Sequence, residues 1–215
     1  MNILLARHGE TPWNREGRYQ GHTDIPLSEE GEAQARALGR RLAEVEIHRA
    51  VSSPLARARV TAQLLLGPRR ELLTHDDGFK EISHGKWEGR LVTEIEASDR
   101  AMLDTWRNGP PADFPAGPGA ESLQQVLDRA WSALGRAVEG LGANQTLLVV
   151  AHDAVNRVIL LHVLGLPFER IWRFRQAPAT LNVLSGPSLD ALQVVRLNDA
   201  DHVGPLLRES VHRAV

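Results

Sequence analysis

His8 stands between Arg7 and Gly9, at the end of the apolar run Asn2-Ile3-Leu4-Leu5-Ala6. That run reads as a short buried strand. A histidine where a strand gives way to a loop, beside a fixed positive charge and a glycine, suits nucleophilic attack on an anionic group such as a phosphate. Thr146–Ala151 is the clearest strand in the chain, and it too ends at a histidine, His152. Phosphoryl transfer asks for an in-line nucleophile, positive charge on the non-bridging oxygens and an acid for the leaving alkoxide. A phosphate monoester carries roughly −1.5 to −2 charge at neutral pH, and arginine forks match its oxygens two at a time. His8 is the candidate nucleophile, and Arg7, Arg57 and His152 are the candidate clamp. Glu81, ahead of His84-Gly85, is the candidate acid. To donate, it must be protonated, which demands a shielded or carboxylate-rich setting.

The elements that must carry these residues alternate along the chain. Strands are predicted at 2–6, 50–52, 71–74 and 146–151, with closing strands at 181–184 and 191–197 joined by the Gly186-Pro187 turn. Ser28 is a good N-cap, with Glu29 and Glu30 at the positive end of the helix that follows. Ser53-Pro54 is expected to open a second helix, serine as cap and proline in the first turn. Further helices are expected within 92–108, from Glu121-Ser122 to about Gly140, and over 155–164. Residues 12–26, 84–92 and 109–119 are the long polar or Gly/Pro-rich loops where specificity should lie. The tail from Asn198 is polar, then weakly amphipathic. This order predicts an α/β fold, a three-layer α/β/α sandwich with a mostly parallel central sheet, built as a single domain over residues 1–215. In such sheets ligands bind at the carboxyl ends of the strands. The topology therefore predicts that His8, the Ser53 turn and His152 meet at one edge.

Composition narrows the class. The chain has 215 residues, 42% hydrophobic and 24% charged, with net charge −2, and reads as an ordinary globular protein. Without a basic field it is not expected to bind nucleic acid. It has no cysteine, so a thiolate nucleophile, a disulfide framework and a cysteine-ligated metal are excluded. The start lacks the basic flank of a signal peptide and no apolar run reaches membrane-spanning length, so a cytoplasmic protein without a membrane partner is expected.

Four segments together resemble the histidine phosphatase superfamily, the phosphoglycerate-mutase-like proteins. They are Leu5-Ala6-Arg7-His8-Gly9-Glu10-Thr11 with Asn14, Ser52-Ser53-Pro54-Leu55-Ala56-Arg57-Ala58, Glu81-Ile82-Ser83-His84-Gly85-Lys86-Trp87-Glu88-Gly89, and Val149-Val150-Ala151-His152. All four occur in the family's order. The resemblance implies a phosphohistidine on His8, a phosphate held by Arg7, Arg57 and His152, a contact from Asn14, and Glu81 as proton donor. It implies no metal and no cofactor. The family's mutases carry a tyrosine-rich insertion after the donor glutamate. Here Tyr19 is the single tyrosine and the insertion is absent, which favours hydrolysis. Within the phosphatases the third segment and Gly119-Ala120-Glu121-Ser122 look most like the metal-independent phosphoserine phosphatases, where His84 matches a substrate-contacting position. One departure is Asp153-Ala154, where many relatives carry two glycines. A carboxylate facing a phosphate would repel it, so Asp153 is expected to point away.

The expected partner is a small-molecule phosphate ester, phosphoserine among the candidates, acted on by a monomer or homodimer. The alternatives are a phosphoglycerate mutase-type transfer between hydroxyls, a metal-dependent phosphohydrolase built on His152-Asp153, and a non-catalytic phosphate-binding module. Five tryptophans, Trp13, Trp87, Trp106, Trp131 and Trp172, read as core or rim packing.

Overall fold

The computed structural model describes residues 1–204. The amphipathic reading of the tail falls mostly beyond residue 204, outside the described residues. Among those residues, six strands form one sheet: β1 (Asn2–Arg7), β2 (Arg49–Ser52), β3 (Leu73–His75), β4 (Thr146–Ala151), β5 (Leu181–Ser185) and β6 (Gln193–Asp199). Their order is β3-β2-β4-β1-β5-β6. β1, β2, β3 and β4 run parallel, and β5 and β6 add an antiparallel edge. The mostly parallel sheet is thus as predicted.

Both faces are covered. Successive side chains of a strand point to opposite faces. Ile3 and Leu5 of β1, with Leu147 and Val149 of β4, enter a core with α6 (Leu123–Val138) and α7 (Asp153–Leu164). Leu4 and Ala6, with Leu148 and Val150, enter a second core with α2 (Glu29–Arg41) and α3 (Ala56–Leu66). Every residue of β4 is buried, which is why it reads as a continuous apolar run rather than an alternating one.

Helix termini follow local chemistry, with exceptions. Ser28 accepts from the Gly31 amide as the N-cap of α2, and Ser122 accepts from the Gln125 amide as the N-cap of α6. Ser53 does not cap α3, which starts at Ala56 after Leu55. Its hydroxyl accepts from the Leu55 amide within the turn, and the Asp24 carboxylate takes the Ala56 amide from outside. The segment 12–26 is not all loop: α1 (Pro12–Glu16) forms there, with Thr11 and Asn14 in a reciprocal capping box and Gly17 in the left-handed region as its C-cap. Such a short helix has too few residues to show a periodic signal. The region 92–108 divides into α4 (Val92–Ser98) and α5 (Arg100–Arg107). Strand β3 falls at Leu73–His75 because 67–72 coil into a short 3-10 helix.

Candidate active site

Register brings the two histidines together. β1 and β4 are adjacent and parallel, with Arg7 opposite Ala151. Their next residues, His8 and His152, therefore leave the sheet side by side. The His8 amide donates to the Ala151 carbonyl at 3.1 Å, and the two imidazole rings lie 5.1 Å apart between centroids at 62°. His8 Nδ1 lies 2.7 Å from the Gly9 carbonyl oxygen. A carbonyl can only accept, so this contact places the proton on Nδ1 and makes Nε2 the unprotonated, nucleophilic nitrogen.

The cations converge on the same place. Arg7 and Arg57 line one cavity with His8, Asn14, Glu81 and Asp153. Both guanidinium groups are tied to backbone carbonyls: Arg7 to Gln176, Arg57 to Gly21 at 2.7 Å and Thr23 at 2.9 Å. Burial lowers the Arg57 pKa to about 10, which still leaves it charged at neutral pH. Thr61 links helix to loop, accepting from the Gly9 amide and donating to the Arg57 carbonyl. Asn14 Oδ1 is committed to the capping box with Thr11, so its amide nitrogen is the group left for the cavity.

His152 is fully buried, and both its ring nitrogens lack a hydrogen-bond partner among the described residues. Burial, then the nearby Arg57 and His8, hold its pKa well below the ordinary imidazole value. It is therefore a neutral ring.

Glu81 has the shielded, carboxylate-rich setting that a proton donor needs. Burial and then the Asp153 charge raise its pKa, against the pull of Arg57, the Ile82 amide and Arg7. One carboxyl oxygen accepts from the Ile82 amide at 3.0 Å and the other from the Asp153 amide at 3.1 Å. Arg129 of α6 fixes this segment, donating to the Gly78, Lys80 and Glu81 carbonyls while forking onto Glu121. Nothing in the sequence flags Arg129, because its partners lie far along the chain.

His84 is 4.6 Å from the Tyr19 ring and 5.8 Å from that of Trp106. Its Nδ1 lies 2.8 Å from the Ala116 carbonyl, and burial brings its pKa down to about 4. Trp106 and Trp172, stacked edge-on at 5.4 Å, complete this aromatic wall of the cavity. Trp106 is core and Trp172 packs at its rim, as the sequence predicts, and both also line the cavity.

Asp153 corrects the sequence reading. Its carboxylate lies 3.2 Å from Arg7 and 2.9 Å from Arg157, beside the cavity rather than away from it. Two guanidinium groups and the N-terminus of α7 stabilise the charge there. The spacing could have revealed one partner, since Asp153 and Arg157 are i and i+4 on a helix. Being engaged by two arginines, this carboxylate is also ill placed to serve as the metal ligand of the alternative built on His152-Asp153.

Residues 3–200 match the histidine phosphatase superfamily (branch 1), and the chain belongs to that family. It is 32% identical over 216 residues to phosphoserine phosphatase 1 of Hydrogenobacter thermophilus, covering 100% of both chains. It is 33% identical over 177 residues to the probable phosphoglycerate mutase GpmB of Salmonella choleraesuis, covering 81% of each. Among solved structures, a mycobacterial glucosyl-3-phosphoglycerate phosphatase complexed with VO3 superposes with a TM-score of 0.84 at 27% identity, over 92% of this chain and 98% of that one.

Proposed function

We propose that this chain is a phosphomonoesterase that hydrolyses a small phosphorylated metabolite through a phosphohistidine on His8. The observation that carries this reading is the fixed His8 tautomer, whose Nε2 lone pair shares one buried site with Arg7, Arg57 and the carboxyl of Glu81. The guanidinium groups of Arg7 and Arg57, with the Asn14 amide and the neutral His152 ring, bind the non-bridging oxygens. His8 Nε2 attacks phosphorus in line. The P–O ester bond breaks, its electron pair goes to the leaving oxygen, and the Glu81 carboxyl supplies the proton. Glu81, now a carboxylate, takes a proton from water as that water attacks phosphorus and the P–N bond breaks. Free phosphate leaves and both groups are restored, with no metal or cofactor required by the balance.

Tyr19, His84, Trp106 and Trp172 would face the leaving group, and phosphoserine heads the candidate substrates because of the similarity to a phosphoserine phosphatase. Among the described residues no helix is long and apolar enough to cross a membrane. The reading includes a single domain acting in the cytoplasm on a small-molecule ester, as a monomer or homodimer. The similarity to a probable phosphoglycerate mutase keeps phosphoryl transfer between hydroxyls as the second reading, in which a hydroxyl takes the place of water.

The test is phosphate release from phosphoserine, phosphoglycerate, sugar phosphates and p-nitrophenyl phosphate in EDTA, beside His8→Ala. The expected result is EDTA-resistant release that falls at least about a thousandfold in the variant. Transfer between the hydroxyls of phosphoglycerate without net phosphate release would instead favour the mutase reading. Full turnover by His8→Ala would sink both.

A further inference from the structure

Asp153 sets a physical problem. A buried carboxylate beside a site for a dianion should weaken binding, yet it is held there by two arginines. Its Oδ1 faces Arg7 at 3.2 Å and its Oδ2 takes Arg157 Nε at 2.9 Å. Arg157 is itself anchored, donating to the Ile171 carbonyl at 2.8 Å and to the Phe174 carbonyl, with its guanidinium 5.0 Å from the Trp172 ring centre. The Asp153 backbone amide meanwhile donates to Glu81 Oε2 at 3.1 Å. One residue therefore touches both the phosphate clamp and the candidate acid.

We propose that Asp153 is a positioning residue that acts through charge: lying against Arg7 and beside Glu81, its carboxylate sets the net charge that an incoming phosphate meets. This rests on the phosphatase reading of the site. The charges acting on Glu81 are Arg7 from β1, Arg57 from α3 and Asp153 from the start of α7, and the other titratable groups lining its cavity are His8, Arg18, Tyr19 and His84. Arg129 and His22 bond only the Glu81 backbone carbonyl. Three guanidinium groups against two carboxylates leave one net positive charge when Glu81 is ionised and two when it is protonated. A phosphate dianion is matched by the second state. Asp153 thus couples phosphate binding to a proton on Glu81, which is the form needed to protonate the leaving oxygen. Without it, Arg7 and Arg57 would hold phosphate tightly while Glu81 lost its proton more easily.

The test replaces Asp153 with Asn, which keeps the shape and removes the charge, and measures two things. Calorimetric titration with inorganic phosphate at neutral pH is expected to show about tenfold tighter binding. The alkaline limb of the kcat/KM profile is expected to move to lower pH by about half a unit to one unit. Asp153→Glu should return both toward the parent. A residue that merely braced the fold would instead weaken phosphate binding and leave the limb in place. If Asp153→Asn does not fold, Asp153→Ser, also suited to a helix N-terminus, carries the same expectation. Unchanged or weaker phosphate binding in the folded variant, with the parent binding phosphate and turning over ester, overturns the role of Asp153 alone. A parent that neither binds phosphate nor hydrolyses an ester overturns the phosphatase reading and this role with it.

Discussion

At the scale of single residues, the site is an arrangement of groups whose protonation is set by burial. His152 is kept neutral by burial and by nearby positive charge, while the Glu81 pKa is raised by burial and by the Asp153 carboxylate. The proposed acid matters most where the leaving oxygen is a poor one. Glu81→Gln keeps the size but cannot give up a proton. It is expected to slow hydrolysis of an alkyl ester such as phosphoserine by about 10²–10⁴-fold. The loss should be much smaller on p-nitrophenyl phosphate, whose leaving group needs no proton. Steady-state rates on the two esters check this, and equal losses on both would remove Glu81 from the role of acid.

At the scale of elements, the start of α2 presses directly on the loop that carries His8. A Cβ on Gly31 would stand 2.0 Å from the Glu10 carbonyl oxygen, and one on Gly9 would stand 2.3 Å from the Gly31 oxygen. Both contacts are backbone against backbone, so no side chain can yield. Gly31→Ala is expected to cost about 1–3 kcal/mol in urea unfolding and to lower activity with it, because the loop must shift. Gly135, inside α6, has nothing within 4 Å of its would-be Cβ. There, Gly135→Ala is expected to add about 0.5–1 kcal/mol with activity unchanged, through helix propensity alone. The contrast separates a glycine required by close approach from one that is merely tolerated.

At the scale of the whole molecule, the buried imidazoles make stability depend on pH. The His84 pKa falls to about 4 in the folded chain from an ordinary 6.5, and burial also holds that of His152 well below 6.5. Between these values the unfolded chain binds protons that the folded one refuses. Stability is therefore full above about pH 6.5 and is lost as the pH falls toward 4, by on the order of 2–3 kcal/mol for His84. Glu81 acts in the opposite sense, favouring the folded state below its raised pKa and losing that contribution as the pH rises through it. Urea midpoints at pH 7 and pH 4.5 measure the acid effect, and His84→Gln should show a smaller drop. An equal drop in the variant would show that His84 is not a source.

The sequence by itself determined the mostly parallel sheet, its covering helices and which residues stand at the carboxyl ends of the strands. Strand residues buried on both faces leave continuous apolar runs, and the chain places Arg7-His8 and His152 directly after two of them. Strand adjacency and register then follow from a small set of allowed topologies. Tertiary structure alone decided what depended on contacts between distant segments. The inward turn of Asp153 required Arg7 on one strand and Arg157 on its own helix to arrive together. The fixing of Glu81 required Arg129, 48 residues further on, to reach back to its carbonyl. The aromatic wall required Tyr19, Trp106 and Trp172 to meet from three separate segments. Periodicity and capping are written over a few neighbouring residues, whereas the energy of a buried charge depends on every group the fold brings around it.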